Sequence, residues 1–352
     1  MNDDEHRATE VERRVVLRFE DGAEQPIIAR PGEFVLDAAL RQGVPLVHQC
    51  RSGSCSTCVA QLIDGEIVMA PERSTSLLAS EQAEGKRLLC SAYALSDGIV
   101  RLHYPISLIR EAERTILPAT VDAIEWPAPN VAHLTLEIEG ASSFNFRSGQ
   151  YVRVKVPGSE QWRSYSMAST ARELPRLEFL IRLLEGGLMS GYLRSHCRKG
   201  DGLEIEGPMG AFILHPSRAP HIFVAGGTGL APILSMLDEI RQRPGPRPKM
   251  LLSFGCASEE SFVYRDEVEL RSWWMPELTL MLSADHVRSA ESGLTEGTPV
   301  DALSRDHVEE PETVAYVCGP PKMIEAGRRR LTELGVKSDR IYAEQFVPSS
   351  IG

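Results

Sequence analysis

Four cysteines constrain this chain more than any other feature. Cys50, Cys55 and Cys58 form a C-x4-C-x2-C run, and Cys90 follows after 31 intervening residues. That is the spacing with which plant-type [2Fe–2S] clusters are held, because each of two sulfide-bridged irons needs two further soft ligands. The intervening residues, Arg51 to Ser54 with Ser56 and Thr57, are mostly small. Backbone N–H groups can therefore turn inward toward sulfurs that carry negative charge. Two alternatives stand beside this reading: a structural zinc site, which usually pairs two C-x2-C knuckles, and unrelated buried thiols.

Size and charge narrow the class. A chain of 352 residues, 42% hydrophobic, predicts two or three domains, each with its own core. The net charge of −11 argues against a nucleic-acid partner. Residues 1–12 carry five acids against one arginine and no apolar run, which predicts a disordered tail rather than a signal or transit peptide. No stretch has the length of a membrane span, so no membrane partner is expected. Cys197, Cys256 and Cys318 remain as an odd set, which points to a reducing cytoplasm.

Three segments follow. From 13 to 103 the pattern predicts a strand pair around Asp21-Gly22, a short helix with Phe34, Leu36, Ala38, Ala39 and Leu40 as apolar positions, then the cysteine loop. A hairpin is expected where Val59–Leu62 and Glu66–Val68 flank Asp64-Gly65, and the unit closes near His103. A linker over 104–115 leads to 116–216, where strand-like stretches at 120–124, 133–138 and 151–156 favour a small antiparallel barrel. A loop after them, Arg163-Ser164-Tyr165-Ser166, suits a flavin: arginine can pair with a pyrophosphate and tyrosine can pack on the isoalloxazine. Gly186-Gly187-Leu188-Met189-Ser190 offers a second anion cradle at a helix start.

From 217 to 352 the pattern changes to alternating strands and helices, a doubly wound parallel sheet. The apolar strand Ile222–Ala225 runs into Gly226-Gly227-Thr228-Gly229-Leu230-Ala231-Pro232 and a helix through Ile240. Such a turn lets a pyrophosphate approach helix-end N–H groups, although it is neither G-x-G-x-x-G nor a P-loop. Cys318-Gly319-Pro320-Pro321 follows a further strand at its carboxyl end, where such sheets bind ligands.

The cysteine run, Arg163-Ser164-Tyr165-Ser166, Gly226 to Pro232, Cys318 to Pro321 and Glu344-Gln345-Phe346 occur here in one order. That order resembles the ferredoxin–NAD(P)H reductase superfamily, and within it the reductase components of bacterial multicomponent oxygenases, over nearly the whole chain. The resemblance implies a β-grasp domain with the cluster, an antiparallel barrel with FAD and a parallel α/β domain with NAD(P)H. It further implies that Cys50 and Cys55 share one iron and Cys58 and Cys90 the other. Arg163, with Ser164, would bind the FAD pyrophosphate, Tyr165 would pack on the isoalloxazine, and Ser166 would bond near flavin N5. Gly187, Met189 and Ser190 join the flavin side. Gly226, Gly227, Thr228, Gly229, Pro232, Gly319 and Pro320 join the nucleotide side. Cys318 and Glu344 would border the nicotinamide as catalytic residues with Ser166, and Phe346 matches an aromatic that covers the flavin. A small packed thiol at Cys318 and an exposed charge at Glu344 are the plainer alternatives.

The implied reaction is hydride transfer from NADH to FAD, then single electrons to the [2Fe–2S] centre and on to a terminal oxygenase or hydroxylase, or to its ferredoxin. The protein would be monomeric and cytoplasmic. NADH is expected over NADPH because Glu259 and Glu260 follow the strand Met250–Phe254, where carboxylates accept ribose hydroxyls and repel a 2′-phosphate. Arg265, close by in sequence, offers a contrary phosphate partner. The same electron chain could serve a sugar-deoxygenating dehydratase, and a redox-sensing protein without turnover is the reading from another class.

Overall fold

The computed structural model describes residues 11–110, 115–289, 292–308 and 312–346, in two compact units, 1–113 and 114–352. Residues 1–10 of the expected tail lie outside the described residues.

The first unit is a β-grasp. Strand Arg13–Arg18 pairs antiparallel with Glu24–Ala29 across the Asp21-Gly22 turn and parallel with Gly98–Arg101. The sheet continues through Val59–Asp64 to Lys86–Leu88. Helix Val35–Arg41 turns Val35, Leu36, Ala38 and Ala39 into the core, the one apolar face its spacing provides. The expected hairpin around Asp64-Gly65 does not form. Val59–Asp64 pairs with Gly98–Arg101, while Ile67–Met69 leaves the sheet to pair with Ala92–Ala94. Gly65 has φ +83°, and a Cβ there would lie 2.2 Å from the Asp97 carbonyl oxygen, so the chain passes under another segment instead of folding back on itself. The expected linker also begins inside this unit. Tyr104 is 1% exposed, its hydroxyl accepts from the Val47 N–H at 3.2 Å, and Ser107–Arg110 is helical.

In the second unit six antiparallel strands run in the order Trp162–Ser166, Tyr151–Lys155, Gly202–Met209, Thr115–Ala128, Val131–Ile138 and Arg176–Arg182. A bridge between Met167 and Phe179 joins the first strand to the last and closes the barrel. Arg163-Ser164-Tyr165-Ser166, expected as a loop, is therefore a barrel strand. Its pairing with Tyr151–Lys155 outweighs the polar composition that suggested otherwise.

Beyond the barrel lies a six-stranded parallel sheet in the order Thr295–Glu296, Leu278–Ala284, Met250–Cys256, His221–Gly226, Val314–Gly319 and Ile341–Gln345. The order reverses between His221–Gly226 and Val314–Gly319, the position at which such sheets open a crevice at their carboxyl ends. Barrel and sheet share one apolar core: Ala168, Leu180, Phe212 and Leu214 pack with Phe223, Leu234 and Tyr316. Among the described residues no helix is long and apolar enough to cross a membrane.

Phe179 is fully buried where the barrel closes. Phe179→Ala should cost about 3–5 kcal/mol. We expect the thermal midpoint for release of bound flavin fluorescence to fall by several degrees, and an unchanged midpoint would contradict a packed barrel seam.

Candidate functional site

The cysteine loop owes its shape to three left-handed residues, Arg51, Gly53 and Ser56, with φ of 56°, 83° and 59°. They turn backbone donors inward: the Ser52 N–H reaches Cys50 Sγ at 3.4 Å and the Cys50 N–H reaches Cys55 Sγ at 3.5 Å. A Cβ on Gly53 would sit 2.0 Å from the Ser74 carbonyl oxygen, so this loop lies directly against the 70–76 segment. Ser76 N–H to Gly53 O at 2.9 Å, Ser74 Oγ to Ser52 O at 2.8 Å and Ser56 Oγ with Ser76 Oγ at 2.7 Å lock the two together. Those supports are invisible in the sequence because no local pattern marks a partner twenty residues away; Ser91 Oγ, by contrast, lies beside its sequence neighbour Cys90 Sγ at 3.5 Å.

The four thiols meet in two pairs. A hydrogen bond shared with Cys55 pulls Cys50 down to about 3 and pushes Cys55 up. One shared with Cys58 pulls Cys90 down to about 6 and pushes Cys58 up. Among the described residues no three His, Cys, Asp or Glu side chains converge as ligands of one metal ion. Four thiols with N–H donors turned toward sulfur at Cys50 and Cys55 fit the ligand set of a [2Fe–2S] cluster.

On the flavin side, Arg163 and Tyr165 alternate with Ser164 and Ser166 along one strand. Arg163 bonds to the Trp162 carbonyl at 3.0 Å and to Gln161, and no carboxylate pairs with it among the described residues, which leaves its charge for an anion. Tyr165 is half-buried against the barrel core, and burial pushes its hydroxyl pKa up. Ser164 is exposed. Gly187 precedes helix Leu188–Ser195, and the loop before it is closed by Ser190, whose Oγ accepts from the Leu184 N–H at 2.9 Å. Ser190 thus shapes the cradle, while the Met189 side chain is buried in the barrel core and can offer a ligand only its backbone N–H.

On the nucleotide side, Gly226 ends its strand, Gly227–Gly229 make one tight turn, and helix Leu230–Gln242 holds Pro232 in its first turn. The Thr228 side chain is buried. Gly319 and Pro320 lead into helix Pro321–Glu333, directly beside this turn. A Cβ on Gly229 would lie 2.3 Å from the Cys318 carbonyl oxygen, and one on Gly226 2.7 Å from Met323 Sδ. At Gly227, φ +54°, a Cβ would meet nothing within 4 Å, so that residue faces the open crevice.

The two sides join at one place. Ala225, Cys318 and Glu344 stand in register across three strands of the parallel sheet. Ser166 Oγ, 6% exposed at the end of its barrel strand, donates to Glu344 Oε2 at 3.0 Å. Glu344 is half-buried overall, and the desolvation of its carboxyl pushes it up to about 8 despite that hydrogen bond. Cys318 is fully buried, and burial with the neighbouring Glu344 charge pushes its thiol well up. Ser166, Cys318 and Glu344 are thus brought together, whereas Phe346 is half-buried against the shared core with its N–H on the Gly319 carbonyl at 3.1 Å.

Known proteins agree with this architecture. Three family profiles match in order: a 2Fe-2S iron–sulfur cluster binding domain over residues 18–95, an oxidoreductase FAD-binding domain over 118–213 and an oxidoreductase NAD-binding domain over 223–329. The anthranilate 1,2-dioxygenase electron transfer component of Acinetobacter baylyi is 32% identical over 344 residues, 96% of this chain and 98% of its own. The propane 2-monooxygenase reductase component of Mycolicibacterium smegmatis is 31% identical, covering 90% and 93%. Among solved structures, an Amycolatopsis cytochrome P450 reductase matches with TM-score 0.67 at 28% identity, over 96% of this chain and all of that one. The chain belongs to the ferredoxin–NAD(P)H reductase superfamily, among the electron transfer components that carry a [2Fe–2S] domain ahead of the FAD and NAD domains. It is an oxidoreductase that uses a [2Fe–2S] cluster, FAD and a nicotinamide nucleotide.

The raised Glu344 value links folding to pH. Between the ordinary 4.5 and about 8 the folded chain keeps a proton there that the unfolded chain has lost. The neutral carboxyl supports folding fully below the lower value, and that support is withdrawn as pH rises through the higher one. The permanently neutral variant Glu344→Gln should remove the decline. The thermal midpoint of the native protein, measured against that variant, should fall as pH is raised from about 4.5 to about 8, and a constant difference would contradict the burial of this carboxyl.

Proposed function

We propose that this chain is the NADH-dependent reductase of a soluble oxygenase system, delivering electrons to a terminal oxygenase or hydroxylase protein or to its ferredoxin. It would work as a monomer in the cytoplasm. The observation that carries the reading is the meeting of Ser166, on the barrel strand, with Glu344, on the nucleotide sheet. One hydrogen bond there ties the flavin-side strand to the nicotinamide-side strand. The partner class is supported by the names of the relatives, which are electron transfer or reductase components of dioxygenases and monooxygenases.

In this proposal Cys50 with Cys55 and Cys58 with Cys90 hold the two irons, and the inward N–H groups offset thiolate and sulfide charge. Arg163 neutralises the flavin pyrophosphate, Tyr165 packs against the ring system, and the backbone around Gly187 and Met189 cradles the phosphates. Gly227 lets the nicotinamide nucleotide approach the helix that begins at Leu230. Ser166 positions the Glu344 carboxyl, which holds a proton near neutral pH, and Cys318 closes the floor of the cleft against water. FAD held by Arg163, Tyr165 and the Gly187 loop would supply two-electron acceptance with one-electron release, and a [2Fe–2S] cluster held by Cys50, Cys55, Cys58 and Cys90 would supply a one-electron acceptor. Preference for NADH is assigned to Glu259 and Glu260, which lie just beyond the strand Met250–Cys256 at the carboxyl edge of the sheet.

Cys55→Ser tests the division of labour. It should leave NADH-driven bleaching of the flavin band within about twofold of the native rate while reducing electron delivery to a partner oxygenase by more than about a hundredfold. Stopped-flow absorbance and oxygenase-coupled NADH consumption measure the two. Loss of flavin reduction in this variant would count against the proposal.

A further inference from the structure

The two carboxylates assigned above to the ribose do not stand alone. Glu259 and Glu260 occupy a single turn, Glu259–Ser261, capped by Ser258 Oγ, which accepts from the Ser261 N–H at 3.3 Å. The loop that follows the neighbouring strand Leu278–Ala284 folds over them. The Asp285 N–H donates to the Cys256 carbonyl at 3.1 Å, and the Arg288 N–H donates to Glu259 Oε2 at 3.2 Å. The Arg288 guanidinium pairs with Glu260, and at 80% exposure it stands in solvent above the turn. Arg265, the cation that the sequence offers to a phosphate, is already engaged: its Nε donates to Glu269 at 2.7 Å and its guanidinium to the Ser292 carbonyl.

We propose that Arg288 is the residue that sets how strongly the site rejects a 2′-phosphate. This rests on the assignment of Glu259 and Glu260 to the adenosine ribose and goes beyond it. While paired, Arg288 cancels part of the negative charge that the two carboxylates present, yet leaves carboxylate oxygens free to accept ribose hydroxyls. The pair is exposed and correspondingly weak, so the guanidinium exchanges readily between Glu260 and a nucleotide phosphate, which it grips through two parallel N–H donors. NADPH is therefore admitted to the extent that Arg288 leaves Glu260, and the Glu259–Glu260–Arg288 cluster acts as a balance rather than as a plain acidic barrier.

The test is the ratio of kcat/KM for NADH to that for NADPH, measured with ferricyanide as acceptor on flavin-replete protein. Arg288→Ala should raise the ratio by about tenfold, because both carboxylates then meet the 2′-phosphate unscreened. Glu260→Gln should lower it by a similar factor of about ten, because Arg288 is released to the phosphate. Arg288→Lys, which keeps the charge and loses the fork, should fall between the native protein and Arg288→Ala. Raising ionic strength should weaken NADPH turnover more in the native protein than in Arg288→Ala, a response that a merely structural arginine would not give. A ratio that is unchanged or lowered in Arg288→Ala overturns the proposal. The native ratio separately tests the underlying assignment: a native protein that prefers NADPH defeats the ribose reading of the carboxylates, whereas a native preference for NADH with no response at Arg288 defeats this proposal alone.

Discussion

The apolar core shared by the barrel and the parallel sheet is what the rest of the second unit depends on. Hydride transfer tolerates little error in distance, with reacting atoms held roughly 3–3.5 Å apart. Two domains joined by a polar, hydrated surface would slide against each other. Here Ala168, Leu180, Phe212 and Leu214 of the barrel side sit in the same cluster as Phe223, Leu234 and Tyr316 of the sheet. Ser235 Oγ adds a hydrogen bond to the Ser169 carbonyl at 2.6 Å, and the His215 N–H adds one to the Tyr316 hydroxyl at 2.9 Å. The Ser166–Glu344 contact is a consequence: it can be short because the bodies that carry its two ends are packed as one.

Beneath that contact lies an aromatic layer. Two residues back along each strand from Ala225, Cys318 and Glu344, on the same face, come Phe223, Tyr316 and Tyr342, in the same register. Phe223 and Tyr316 stack at 5.3 Å, Tyr316 and Tyr342 at 5.5 Å, and His215 covers Tyr342 at 4.0 Å. Rings this close and nearly parallel resist sliding, so the strand Ile341–Gln345, at the edge of the sheet, is fixed in register although only one neighbour pairs with it. The position of Glu344 is therefore set from below by ring packing and from the side by Ser166. The apolar floor also explains why its carboxyl is driven toward the neutral form.

Much of this was legible in the sequence, and the reasons differ by element. The cysteine spacing and the strand, turn and helix around Gly226 to Pro232 are local patterns, so they could be read without knowing the fold. The barrel strand Trp162–Ser166 reads as a loop in the sequence because its residues are polar; its strand character comes from pairing with Tyr151–Lys155, a long-range fact. The hairpin expected at Asp64-Gly65 failed for the same reason, since strand partners are chosen across the sheet and a turn signal alone does not choose them. Tyr104 looked like linker because nothing nearby reveals that Val47 will bond to its hydroxyl. Ser166 with Glu344 are 178 residues apart, and only resemblance to a family, not any spacing rule, put them on one list.

The glycines at the crevice have two different physical roles. From the sequence alone, every glycine of Gly226-Gly227-Thr228-Gly229 is expected to serve the approach of a pyrophosphate. The contacts divide them instead. Gly226 and Gly229 are small because the second loop, Cys318 to Met323, packs onto them: the Cys318 carbonyl and Met323 Sδ fill the places where their Cβ atoms would be. Gly227 alone of the three opens on free space with a left-handed φ. Two glycines thus bring the two strand ends together at the point where the strand order reverses, and the third keeps the resulting crevice accessible. A larger residue at Gly229 would act on the Cys318 loop and, through the strand register, on Glu344, whereas one at Gly227 would project into the open crevice. The glycine run is a packing motif first, and the crevice at the sheet's carboxyl edge is what that packing leaves open.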